Sequence, residues 1–105
     1  MSAPFVDICA DTFGAEQPYR MTPVFDEITL PAALRREHRT KAGVWGVIRI
    51  IEGELRLKFE DRSEAVLSPD RPGVVRPEEI HWVEPLGPMR MQVEFYNSEP
   101  ALRRS

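Results

Sequence analysis

The sequence predicts an all-β fold, a sandwich or jelly-roll barrel with one short helical turn. Three observations lead there. Ten prolines and six glycines are spread along 105 residues and cut the chain into pieces too brief for long helices. Between those breaks lie runs rich in β-branched and aromatic residues, such as Val44-Trp45-Gly46-Val47-Ile48. Other runs alternate apolar and polar residues with the period of two that a half-buried strand requires.

Taken in order, residues 1–17 read as an N-terminal extension or edge segment, 18–97 as the barrel and 98–105 as a tail, together one domain. Pro31 to Glu37 is the helical candidate, with Thr29 as its cap and Ala32, Ala33, Leu34 and Arg35 as good helix formers. Residues 44–51 are apolar on both faces, which predicts a buried central strand, and Glu52-Gly53 turns the chain. The return strand, 54–59, places Leu55, Leu57 and Phe59 on one face and Glu54, Arg56 and Lys58 on the other. Shorter strands are expected at 64–67, 74–76 and 81–84, separated by turn-forming stretches such as Ser68-Pro69-Asp70-Arg71-Pro72-Gly73. The last strand, 89–96, should face Met89, Met91, Val93 and Phe95 inward.

Composition removes several classes of function. A formal net charge of −3 does not suit a protein that grips phosphate backbones, so nucleic acid is not expected as a partner. No apolar run approaches the ~18 residues needed to cross a bilayer, and no membrane association is expected. A single cysteine, Cys9, permits no internal disulfide, and with no basic-then-apolar leader at the start the expected location is the cytoplasm. No Gly-x-Ser-x-Gly elbow is present to support a serine hydrolase.

The chain has only two histidines, each at the mouth of a predicted strand: His38 before the 44–51 run, and His81 after Pro77-Glu78-Glu79-Ile80. A residue type this scarce in those two places is understood most simply if the fold brings both imidazoles to one metal site. Imidazole nitrogens suit zinc, and suit iron or nickel less selectively. The bland reading stands beside it, with His38 a polar residue after a short helix and His81 a hydrogen-bonded barrel residue. Lys41 is either a solvated loop lysine or a cation at a cavity rim that holds an anionic ligand. Trp45 is either a packing residue or part of a ligand site.

Thr22-Pro23-Val24-Phe25, Leu30-Pro31, the block His38 to Gly46, the Glu52-Gly53-Glu54-Leu55 hairpin, the block Pro77 to Glu84 and Val93-Glu94-Phe95-Tyr96 together resemble the cupin-like family of tellurite-resistance TehB N-terminal domains and YeaR-like proteins. The resemblance covers roughly residues 20–97. It implies a cupin-like double-stranded β-helix, found alone or fused in front of a methyltransferase that acts on tellurite. The chain contains no glycine-rich strand-to-helix turn and ends before such an enzyme could begin, so it is expected to work alone or beside a separate methyltransferase. Broader cupins carry two histidines and a glutamate in a first motif and one more histidine in a second. Here Lys41 falls near the place of the second histidine and Gly46 near that of the glutamate, so a three-histidine iron site is excluded by count.

The expected metal ligands are therefore His38, His81 and, from the family block, Glu84. Strict alternation puts Glu84 on the face opposite His81, so a bulge near Pro85 would be needed to bring it round. Glu94 is the reserve ligand, and Lys41, Trp45 and Glu94 are the candidate ligand-binding residues. Two functions remain open. In one, a zinc-bearing binding module takes a small oxyanion or small organic acid; in the other, the same position carries catalysis, with Glu84 as general base. A small-ligand-binding or structural cupin without metal is the further alternative. The apolar face of the 44–51 strand, where Val47 and Ile51 lie on the side that carries Trp45 and Arg49, needs cover, from the N-terminal segment or from a second copy, and a homodimer is expected.

Overall fold

The computed structural model describes residues 17–101; residues 1–16, with Cys9, and 102–105 lie outside the described residues. Two antiparallel sheets face one another as a cupin-like jelly roll. The strands are β1 (Arg20–Met21), β2 (Phe25–Asp26), β3 (Trp45–Glu52), β4 (Leu55–Phe59), β5 (Ala65–Leu67), β6 (Gly73–Val75), β7 (His81–Pro85) and β8 (Arg90–Tyr96). The larger sheet has β8 and β3 at its centre, with β6 beyond β3 and both β1 and β2 on the outer side of β8. The smaller sheet runs β5, β4, β7.

Register decides which side chains meet. Ile48 of β3 lies opposite Val93 of β8 and Gly73 of β6, and Ile50 lies opposite Met91, so these residues share the inner face. In the other sheet Leu55 faces Leu67, and Leu57 faces Val83. Leu55, Leu57, Leu67, Met89 and Met91 are fully buried between the sheets. The alternation read from 54–59 and 89–96 therefore becomes the core, with each buried Leu or Met side chain contributing roughly 1.5–3 kcal/mol.

The expected short helical turn is present: the segment 31–37 forms one 3-10 turn, Ala32–Arg35, but its N-cap is Pro31 with no side-chain cap, in place of the expected Thr29. Thr29 is engaged elsewhere: its hydroxyl accepts the Asp26 N–H at 2.9 Å, and its own N–H donates to Asp26 Oδ1 at 2.8 Å. An Asx-type turn has taken the residue that would have capped a helix. On the outer face of β3, Val47 has 0% of its surface exposed within one chain, while Trp45 and Arg49 are half-buried. A bulge between Ile50 and Glu52 sets Ile51 apart from the regular ladder, and Ile51 is 44% exposed.

Candidate functional site

His38 and His81 meet across an antiparallel bridge. The His38 N–H donates to the His81 carbonyl at 3.0 Å, and the His81 N–H donates to the His38 carbonyl at 2.9 Å. Residues that exchange both backbone bonds carry their side chains on one side of the ladder. The ring centroids accordingly lie 4.1 Å apart, tilted by 55°. Each ring is fixed in the same way: Nδ1 of His38 sits 2.8 Å from the Arg36 carbonyl, and Nδ1 of His81 sits 2.8 Å from the Glu79 carbonyl. A carbonyl can only accept, so each Nδ1 carries the proton and, in the neutral ring, each Nε2 keeps its lone pair.

The loops behind the rings are braced. The Thr40 hydroxyl donates to the Val44 carbonyl at 2.8 Å and accepts the Glu78 N–H at 3.2 Å, tying the loop after His38 to the loop before His81. The Arg62 guanidinium donates to Glu79 Oε1 at 2.9 Å, and the same carboxylate accepts the Arg76 N–H at 3.1 Å. Burial pushes the Glu79 carboxyl up, but the bonds from Arg62 and from the Arg76 backbone, together with the charges of both arginines, hold it below its ordinary range. His81 is buried, and that burial, with His38 beside it, holds the imidazole below its ordinary value against the raising effect of the Glu79 carbonyl bond.

Both histidines line a cavity of about 500 Å³ between the sheets. Its strand-borne wall is apolar, made by Ile48, Val75, Val83, Met91, Val93 and Phe95. The rest of the lining includes Arg20, Arg39 and Lys41, all exposed, and none is ion-paired among the described residues. Among the described residues no acidic one lines the cavity. Gly46 lies on the inner face of β3, where an added Cβ would approach nothing nearer than Val75 Cβ at 3.8 Å. Its lack of a side chain leaves space in the cavity, whereas Gly53 answers a backbone need: its φ is +81°, and a Cβ there would run into the Pro88 carbonyl.

The residues expected at the site divide. His38, His81 and Lys41 come together at the cavity. Glu84 does not: β7 continues in register through Pro85, so Glu84 faces outward opposite Arg56 and lies 3.6 Å from both the Arg56 guanidinium and the Lys58 ammonium. The bulge that would have turned it inward is absent, so Glu84 lies outside the reach a third ligand or a general base needs. Glu94 is also on an outer face, held by Arg49 Nε at 3.2 Å and by the Tyr96 hydroxyl at 2.8 Å. Trp45, opposite Tyr96, shares that face and does not line the cavity. Among the described residues no group of three His, Cys, Asp or Glu side chains could hold a metal ion. Two imidazoles are fewer than the three protein ligands of a catalytic zinc site.

Arg20, Arg39, Thr40, Arg62 and Glu79 are site residues that reading the sequence missed. Arg39 and Thr40 lie in the same block as His38 and Lys41, so adjacency was an available signal. Arg62 and Glu79 act across 17 residues of sequence, and no local pattern pairs them.

Among the described residues no helix is long and apolar enough to cross a membrane. Solved structures with similar coordinates include TehB from Haemophilus influenzae, 27% identical with a TM-score of 0.69, covering 74% of this chain and 30% of that one. A second is a protein from E. coli strain K12, 19% identical with a TM-score of 0.70, covering 78% of this chain and 90% of that one. The chain thus spans under a third of TehB's length, and the E. coli likeness concerns the fold alone. No curated protein matches the sequence. The family model for the TehB-like domain matches residues 20–93, a stretch that includes both histidines, Lys41 and most of the barrel, and the chain belongs to the TehB-like domain family.

Proposed function

We propose that the domain is a binding module for a small anion, an oxyanion or a small organic acid, received in the cavity between the sheets. The observation that carries the reading is the charge pattern of the lining: Arg20, Arg39 and Lys41, with no carboxylate among the described residues. Such a lining attracts anions and offers them several charged N–H donors beside an apolar wall, and charge-assisted hydrogen bonds are the strong ones. The resemblance to tellurite-resistance domains makes tellurite and selenite the inorganic oxyanions to try, and a separate methyltransferase a partner to consider. A cytoplasmic location belongs to the same reading.

A second reading has its own support. Both Nδ1–H groups are spent on carbonyls, the arrangement that orients histidines toward a metal. His38 and His81 would then hold zinc through Nε2, with the remaining positions left to water or the anion, and the ion would add a Lewis-acidic positive charge at that point. A homodimer would have to use surface such as exposed Ile51, since Val47 is already covered.

Calorimetric titration with tellurite, selenite, nitrite and small organic acids, alongside a metal assay of the purified protein, tests both. Saturable one-to-one binding of an anion that weakens in Lys41→Ala and Arg39→Ala is the expected result, and failure of every anion to bind removes the proposal. Zinc content lost in His38→Ala and His81→Ala supports the second reading, and content unchanged in both removes it.

A further inference from the structure

The cavity is too large and too apolar for an inorganic oxyanion alone. At roughly 30 Å³ per water, a four-heavy-atom oxyanion displaces only about two or three waters' volume, whereas this cavity holds about 500 Å³. The surplus space is bounded by Ile48, Val75, Val83, Met91, Val93 and Phe95, side chains that offer a ligand no hydrogen bond. The polar lining lies outside those six side chains: Tyr19, Arg20 and Thr22 in and around β1, Arg39, Thr40 and Lys41 after His38, and the histidine bridge. Gly46 adds to the apolar part, because a β-branched residue in its place would put methyl groups between Val75 and Val93, each now about one van der Waals contact from where a Cβ would sit.

We infer that the ligand is an amphipathic organic carboxylate, its head at Arg20, Arg39 and Lys41 and its hydrocarbon body against the strand wall. The inference rests on the anion-binding reading and narrows it to one class. Charge without an apolar body leaves the wall wet, and an apolar body without charge leaves unused three cations that have no ion-pair partner among the described residues.

Titrating the full chain with acetate, butanoate, hexanoate, selenite and hexanamide, followed by calorimetry or amide chemical shifts, separates the possibilities. Affinity should rise along the acids by two- to fourfold per methylene, the upper figure corresponding to about 0.8 kcal/mol per buried CH₂, and hexanoate should bind at least tenfold more tightly than hexanamide. Gly46→Val should flatten the series by narrowing the ratio of hexanoate to acetate affinity. If that variant does not fold by circular dichroism, Gly46→Ala, whose Cβ meets only ordinary contacts, should reduce the same ratio by a smaller factor. Equal affinity for acetate, selenite and hexanoate overturns the inference and leaves the anion site standing. Hexanamide binding as tightly as hexanoate overturns the anion reading itself, and no binding by any of the five overturns both.

Discussion

At the scale of single residues the histidine pair combines a structural and a chemical role, and pH separates them. Burial, aided by neighbouring His38, holds His81 below its ordinary value of 6.5. The unfolded chain therefore takes up this proton at a higher pH than the folded one, and by linkage the folded state loses stability as pH falls from about 6.5 through the lower folded value. Above 6.5 the contribution is fully present. Thermal midpoints measured from pH 8 to 5 should fall over the lower half of that range, and His81→Gln should lose that part of the slope; an unchanged profile would refute the assignment. Arg62 carries a second residue-scale prediction. Its removal leaves a Glu79 side chain only 9% exposed with the Arg76 N–H but without its guanidinium partner, so Arg62→Ala should destabilise by about 1–2 kcal/mol in urea unfolding. The histidine pairing was legible from scarcity and position. The Arg62–Glu79 brace was not, because a side chain reaching across 17 residues leaves no periodic trace.

Elements show the same division between what local pattern specifies and what only assembly reveals. Strand β4 alternates in burial throughout and β8 does so as far as Glu94, beyond which outer-face Tyr96 is the buried residue and Phe95 is half-buried; period two is the one signal a half-buried strand must carry. Strands β1 and β2, two residues each, were not read as strands: what fixes them is β8, through bonds such as Thr22 N–H to the Val93 carbonyl at 2.9 Å and Val93 N–H to the Thr22 hydroxyl at 3.0 Å. Glu84 was placed on the outer face by alternation alone, and the contrary expectation needed a bulge that β7 does not have. The two glycines of β3 and its turn give a paired test. Gly53→Ala forces a Cβ toward the Pro88 carbonyl at positive φ and should cost about 2 kcal/mol or more, lowering the thermal midpoint by several degrees. Gly46→Ala removes a glycine from a strand interior with room to spare and should be neutral or stabilising by about 0.5 kcal/mol. A severe loss of stability at Gly46 would mean that its backbone, rather than the cavity, requires glycine.

For the whole molecule the question is which charge an approaching anion meets. The chain carries a formal net charge of −3, so a ligand governed by the molecule's average field would be repelled and would bind better as salt screens that repulsion. The cavity inverts the sign locally, because Arg20, Arg39 and Lys41 line it while carboxylates such as Glu84 and Glu94 are held on outer faces by Arg56, Lys58 and Arg49. Separating the charges in this way needs two sheets, one face of each turned outward for the acids and one turned inward for the cavity. It is invisible in the composition, where acids and bases nearly balance. The two fields predict opposite salt dependence. With a screening length of about 10 Å at 0.1 M salt, exposed cations a few ångströms from a bound carboxylate lose much of their attraction between low and high ionic strength. Raising sodium chloride from 20 to 300 mM should therefore weaken anion binding several-fold in calorimetry, and Lys41→Ala should reduce both the affinity, by up to about 1 kcal/mol, and the steepness of that dependence. Affinity that rises with salt would mean that the average field governs and that the cationic rim takes no part in holding the ligand.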